Sequence, residues 1–157
     1  MAGATAGERI MSSTWTAEYE RTPTGKLRAV GLPDDQRVYA SWIHWASLIA
    51  WVSVVASSGV AFVIPALVSL AMWQIRKADG AFIDDHGREA LNFQISLVLI
   101  GLILIPLVLC GVGVIGFIVL PFFGIIGTIL AGTAALRSEI FRYPACIRVI
   151  PDRPKTA

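Results

Sequence analysis

The sequence predicts an all-α membrane protein with four transmembrane helices arranged as two helical hairpins, and three observations predict it. Two stretches, Ala40 to Ile75 and Ala90 to Leu136, carry no Asp, Glu, Lys or Arg. As single helices they would run about 54 Å and about 70 Å against a hydrocarbon core of about 30 Å, so each has to double back. The ionised groups gather in only three places: before the first stretch, between the two, and after the second. The composition agrees, since a chain of 157 residues that is 55% hydrophobic and 15% charged, with mean hydropathy +0.68, is far more apolar than a soluble domain of this length.

Residues 1–33 carry Gly3, Gly7, Pro23, Gly25 and Gly31 among Ser, Thr and scattered charges without sustained periodicity, which predicts a mostly disordered cytoplasmic tail. Ser13 to Tyr19 (STWTAEY) suits at most a short turn or docking segment around Trp15, and Met11 offers a second start. Met1 to Arg37 lacks the basic, apolar and small-residue sections of a secretory signal. Pro33-Asp34-Asp35 is a helix start, because proline tolerates the first turn and carboxylates complement the free amides and the dipole.

The four-helix domain follows at 34–150. Ser57-Ser58-Gly59 divides the first stretch into spans at about 38–57 and 60–75, and Gly111-Val112-Gly113 divides the second into spans at about 90–110 and 114–136. Arg76 to Glu89, with Gly80 and Gly87, reads as a charged loop between them, and 151–157 as a short cytoplasmic tail. Pro65, Pro106 and Pro121 fall inside spans and are expected to kink them. In a rival reading the first, shorter pair is a re-entrant hairpin, disfavoured because a turn at membrane depth leaves backbone groups unpaired.

Five Lys and Arg precede span one (Arg9, Arg21, Lys26, Arg28, Arg37), three lie in the middle loop (Arg76, Lys77, Arg88) and five follow span four (Arg137, Arg142, Arg148, Arg153, Lys155). The two short turns hold none. The positive-inside rule then places both termini and the middle loop in the cytoplasm. Tyr39, Trp42, Trp45, Trp73, Phe93, Phe141 and Tyr143 would form the aromatic belt on that side.

The densest polar cluster is Asp84, Asp85, His86 and Glu89. With Asp85 as cap, His86 and Glu89 share a helix face, and His44, one turn into span one, lies at the same depth. His44, Asp84, Asp85, His86 and Glu89 are thus the one constellation that could bind a metal or exchange protons. The plainer alternative is a capped interfacial helix start, with His44 bonded among tryptophans and Asn92 and Gln94 bonded to neighbouring helices. Gly124, Thr128 and Gly132 form a small-residue ridge beside Gly127, Ala131 and Ala135, suited to packing within the bundle or in a homo-oligomer.

Several classes fall away. A net charge of +2 without basic residues interleaved with aromatics argues against nucleic acid. Cys110 and Cys146 match no zinc or disulfide spacing and read as free structural thiols. No phosphate loop, serine elbow or HExxH is present, so neither a catalytic residue nor a cofactor is assigned.

Asp34-Asp35-Gln36-Arg37, His44-Trp45-Ala46-Ser47, the run Phe82 to Ile95 and Arg142-Tyr143-Pro144 with Ile147-Arg148 resemble the bacterial four-span membrane domain of unknown function. That domain is similar to the twenty-kilodalton subunit of the chloroplast inner-envelope protein translocon. The resemblance covers about Asp34 to Ile150, and its specific element is Glu89-Ala90-Leu91-Asn92-Phe93-Gln94 at the start of span three. Trp45 and Cys146 depart from the leucine, and the leucine or threonine, expected there. The resemblance implies a multi-pass protein of the bacterial inner membrane with no agreed catalytic residue. The first reading is a non-enzymatic structural or assembly component. Its cytoplasmic docking face would be Tyr39 to Trp45, the middle loop and the C-terminal tail. A channel or protein-translocation component and a metal-dependent membrane enzyme using His44, His86 and Glu89 are the alternatives. The partners implied are the lipid bilayer and membrane proteins or a second copy.

Overall fold

The computed structural model describes residues 18–151, and the expectations for Trp15 and Met11 lie outside them. Two short strands precede four helices: β1 (Glu18–Arg21), β2 (Leu27–Val30), α1 (Asp34–Ala56), α2 (Ile64–Arg76), α3 (Ala81–Leu107) and α4 (Val112–Leu136), with a 3₁₀ turn at Val108–Cys110 between the last two. Three segments are long and apolar enough to cross a membrane: Asp34–Ala56, Ala81–Cys110 and Val112–Leu136. At 13 residues, about 20 Å, α2 is not.

α1 begins at Asp34 after Pro33. Its buried residues Ala40, Ile43, His44, Ser47, Ala50, Trp51 and Val54 recur every three to four positions, so one face turns inward. It ends in a Schellman motif: Ser58 stands at φ 53°, the Gly59 amide donates to Val54 O and the Ser58 amide to Val55 O. α2 then runs back along α1, with the Tyr39 hydroxyl donating to Met72 O (2.8 Å) and Ser47 bonded to Ser69 (2.7 Å). Pro65 opens α2 instead of kinking it, because the first turn needs no amide there.

The middle of the chain corrects the expected loop at Arg76 to Glu89. Only residues 77–80 are non-helical, and α3 already runs through Phe82, Ile83, His86 and Ala90. Those four lie on one buried face, and that burial keeps the charged stretch helical. Gly87 serves close approach within this helix, since a Cβ there would overlap Cδ1 of Trp73. At the far end Gly111, at φ 77°, closes the 3₁₀ turn and starts α4. α4 packs its small residues under tryptophans: a Cβ on Gly124 would come within 2.6 Å of Trp51 and one on Gly132 within 3.0 Å of Trp45. Gly124, Thr128 and Gly132 are buried inside the bundle.

A second correction concerns residues 18–30, read as part of a disordered tail. They form an antiparallel pair, Glu18 opposite Val30 and Arg21 opposite Leu27, around Thr22-Pro23-Thr24-Gly25 with Gly25 at φ 80°. The pair persists because it has a third partner: the Ala29 amide donates to Ser138 O and the Ile140 amide to Leu27 O. Ala29 is buried with Ala40, Phe82 and Ala135. The hairpin thus closes over the helix ends near Asp34, Ala81 and Leu136.

Gly87→Ala is expected to lower stability by about 1–3 kcal/mol despite alanine's better helix propensity, because Trp73 is held by its own hydrogen bond and cannot yield. Thermal unfolding in detergent reads this, and an unchanged or raised midpoint would contradict the contact.

Candidate functional site

The two histidines meet. His44 from α1 and His86 from α3 are each 1% exposed, with His44 Nε2 3.0 Å from His86 Nδ1. The other nitrogen of His86 faces the Glu139 carbonyl at 3.2 Å, and that of His44 faces the Tyr143 hydroxyl at 3.0 Å. A carbonyl only accepts, so neutral His86 carries its proton on Nε2 and accepts on Nδ1. His44 must then donate from Nε2 and accept on Nδ1, and the Tyr143 hydroxyl donates to it. One direction therefore runs through four groups, from Tyr143 to His44 to His86 to the backbone of Glu139.

Glu89 reaches this chain through Tyr143. Its carboxylate is 2% exposed, and Oε1 accepts the Tyr143 amide at 2.8 Å and Arg148 Nη2 at 3.2 Å. Arg142 Nη1 stands 4.0 Å from Oε2. The Tyr143 ring stacks on Phe93 at 3.8 Å between centroids, with 9° between planes. Tyr143 thus touches the histidine pair with one end and the carboxylate with the other.

The element singled out at the start of the expected third span now has a physical role. Glu89, Asn92 and Ser96 lie along one side of α3, three and four residues apart, and each holds backbone of the C-terminal segment. Asn92 accepts the Ile150 amide (2.8 Å) and donates to its carbonyl (2.9 Å); Ser96 Oγ accepts the Ile147 amide (2.8 Å). Arg88 adds a bond to Pro151 O at 2.8 Å. Residues 143–151 form a strap that runs down α3 from Glu89 to Ser96 and returns to Arg88. Asn92 was expected to bond a neighbouring helix and bonds this strap instead.

The remaining expected residues go elsewhere. Asp85 does not cap a helix, because α3 has already begun at Ala81 with Gly80 before it. It pairs with Arg142 through both guanidinium nitrogens, one at 2.7 Å. Asp84 accepts from Trp73 Nε1 and Arg88 Nε, each at 2.9 Å. Of the proposed constellation, then, His44 and His86 are in contact, Glu89 is joined through Tyr143, and Asp84 and Asp85 serve separate pairs. Among the described residues no group of three or more His, Cys, Asp or Glu could hold a metal ion. Ser96, Glu139, Tyr143 and Arg148 were missing from the expected site. The Arg142-Tyr143-Pro144 element was visible in the sequence, but nothing local to it points 54 residues back to Glu89.

Two phenols lie outside the helices, Tyr143 buried and Tyr19 half-buried. Tyr143 is pushed well above its ordinary range by burial first and then by Glu89. Tyr19 is raised from 10.0 to about 12, by burial first and then by Asp85.

A model of the magnetosome magnetite crystal formation protein family matches residues 35–150. No curated protein and no solved structure matches the chain. The likeness to a translocon subunit finds no support in these comparisons.

Replacing Asn92 with Ala removes both bonds to Ile150 and should cost about 1–3 kcal/mol of strap attachment. Tryptic cleavage after Arg148 is expected to rise while the helical circular dichroism stays constant; unchanged cleavage would show that the strap does not depend on this amide. The phenols set an alkaline limit. A phenol whose folded pKa is raised contributes stability fully present below the unfolded value near 10.0 and lost as pH climbs through the folded value, about 12 for Tyr19. Tyr19→Phe should therefore flatten the loss of stability above pH 10, and a pH curve that overlays the parent's would refute the assignment.

Proposed function

The chain belongs to the magnetosome magnetite crystal formation protein family, and from that premise we propose that it is a multi-pass structural or assembly component of a bacterial membrane in which magnetite crystals form. In this reading its helices lie in the bilayer as two returns, α1–α2 and α3–α4, with both tails and residues 77–80 on the cytoplasmic face, which the placement of Lys and Arg supports. The observation that carries the reading is the use of the polar cluster. Glu89, Asn92, Ser96, His44 and His86 hold the strap, the helices and the segment around Glu139 together, so the chemistry of the site is attachment.

Attachment of this kind yields a rigid cap on the tail side of the bundle, made of the hairpin Glu18–Val30, the segment at 138–140 and the strap at 143–151. A rigid face loses little conformational entropy when a partner docks, which suits a scaffold. The docking face expected from the sequence therefore changes in detail: its tail portion is fixed by α3, while Trp42, 50% exposed, faces outward.

Affinity purification from native membranes tests the proposal. The wild-type chain is expected to bring down the same membrane protein repeatedly, and Asn92→Ala, with the cap loosened, to bring down much less of it. Recovery of no partner, or equal recovery with both chains, would defeat the scaffold reading.

A further inference from the structure

The two helical returns end at different depths. Trp51 of α1, Leu97 of α3 and Gly124 of α4 meet at one level, since a Cβ on Gly124 would come within 2.6 Å of the Trp51 ring and 3.2 Å of Leu97. From that level α1 has six residues to Ser57, about 9 Å, whereas α3 and its 3₁₀ turn have thirteen to Cys110, about 20 Å. A second marker agrees. Phe62, within the first return, lies against Gly101, nine residues and about 14 Å short of Cys110. The α3–α4 return therefore overhangs the α1–α2 return by at least about 10 Å.

Only the longer return matches a bilayer. Contact between His44 and His86 puts the two helices in register on the tail side, near the outward-facing Trp42 and the ion pairs of Glu89 with Arg142 and Arg148. From the His44–His86 contact to Cys110 along α3 is about 36 Å, enough to cross a hydrocarbon thickness of about 30 Å; from the same contact to Ser57 along α1 is about 20 Å. The overhang is built for lipid: from Leu97 to Gly127 Cys110 is the lone side chain that is not hydrocarbon, and Leu109 at the tip is 93% exposed.

The shorter return tolerates hydrocarbon because it bonds to itself. The amides of Ser57, Ser58 and Gly59 donate to carbonyls in the last turn of α1, those of Val60, Phe62 and Ile64 to carbonyls within the return, and that of Ala61 to Ser57 Oγ. The Ser57 hydroxyl in turn donates to Val54 O and that of Ser53 to Ala50 O. This reduces the objection to a re-entrant pair raised by the sequence, namely unpaired groups at membrane depth.

We propose that the α1–α2 return ends inside the far leaflet, so that the chain is a wedge with four helices in the tail-side leaflet and two at the far surface, fitted to a bilayer whose tail side is convex. The partner implied is a curved lipid surface, and the proposal rests on the membrane reading above. Cross-section sets the preference. Helices and cap crowd the tail-side leaflet, while lipid fills the space beyond Ser57 in the far one.

Depth is read by a fluorophore on a single cysteine, quenched by lipids spin-labelled either near the headgroup or near the acyl-chain end. One variant keeps Cys110 and carries Cys146→Ser. A second carries Ser58→Cys with both native cysteines changed to Ser, and Val60→Cys replaces Ser58→Cys if that chain does not fold. Cys110 is expected to be quenched best by the shallow label and position 58 by the deep one, a separation of about 10 Å. Equal shallow quenching would overturn the wedge and leave the membrane reading standing. Absence of lipid quenching at both sites would overturn the membrane reading itself. The wild-type chain, reconstituted with tails outward into vesicles of mixed diameter, should gain density per area as diameter falls. Uniform density would remove the curved surface as partner.

Discussion

A buried carboxylate in a membrane protein must be compensated where it stands, and Glu89 is compensated by the far end of the chain. Its Oε1 takes the Tyr143 amide and Arg148, while Oε2 makes no hydrogen bond among the described residues and is met there only by the charge of Arg142 at 4.0 Å. A charge this deep is tolerable only when paired and hydrogen-bonded. Satisfying it therefore draws residues 142–148 onto α3, which carries the Tyr143 ring to Phe93 and its hydroxyl to His44. The tautomers of both histidines follow from that placement, and so does the link from α3 to the Glu139 carbonyl. One electrostatic requirement thus organises α1, α3, the strap and, through Ser138 and Ile140, the N-terminal hairpin.

The molecule divides into a polar cap and an apolar shaft held together by different forces. In the cap, bonds join segments distant in sequence, as between Asn92 and Ile150 or Asp85 and Arg142. In the shaft, lipid removes the hydrophobic drive between helices, so close contact has to come from small residues beneath large ones. Gly124 under Trp51 and Gly132 under Trp45 meet that need. Trp45, where leucine was expected, is thus a packing residue.

Part of the architecture was legible because it depends on each residue's own transfer from water to lipid. The uncharged stretches, the start at Asp34, the reversals near Ser57 and Gly111 and the common depth of His44 and His86 all follow from composition along the chain. The hairpin at Glu18–Val30 was missed because its turn residues sit in a polar segment, and the backbone that holds it comes from residues 138–140. The charged run after Gly80 was misread as a loop because its helical character depends on Phe82, Ile83 and His86 burying a face that only the neighbouring elements provide.

By itself, then, the sequence determined which segments belong to lipid and which to water, because that partition is a sum over local side chains. Tertiary structure alone decided what the polar residues do. Whether Glu89, Asn92 and His86 hold a metal or hold a strap depends on which backbone arrives beside them, and that backbone lies about 50 residues further along the chain. The level of the helices relative to one another was decided in the same way, since rise per residue is known in advance but the level at which Trp51 meets Gly124 is set by packing.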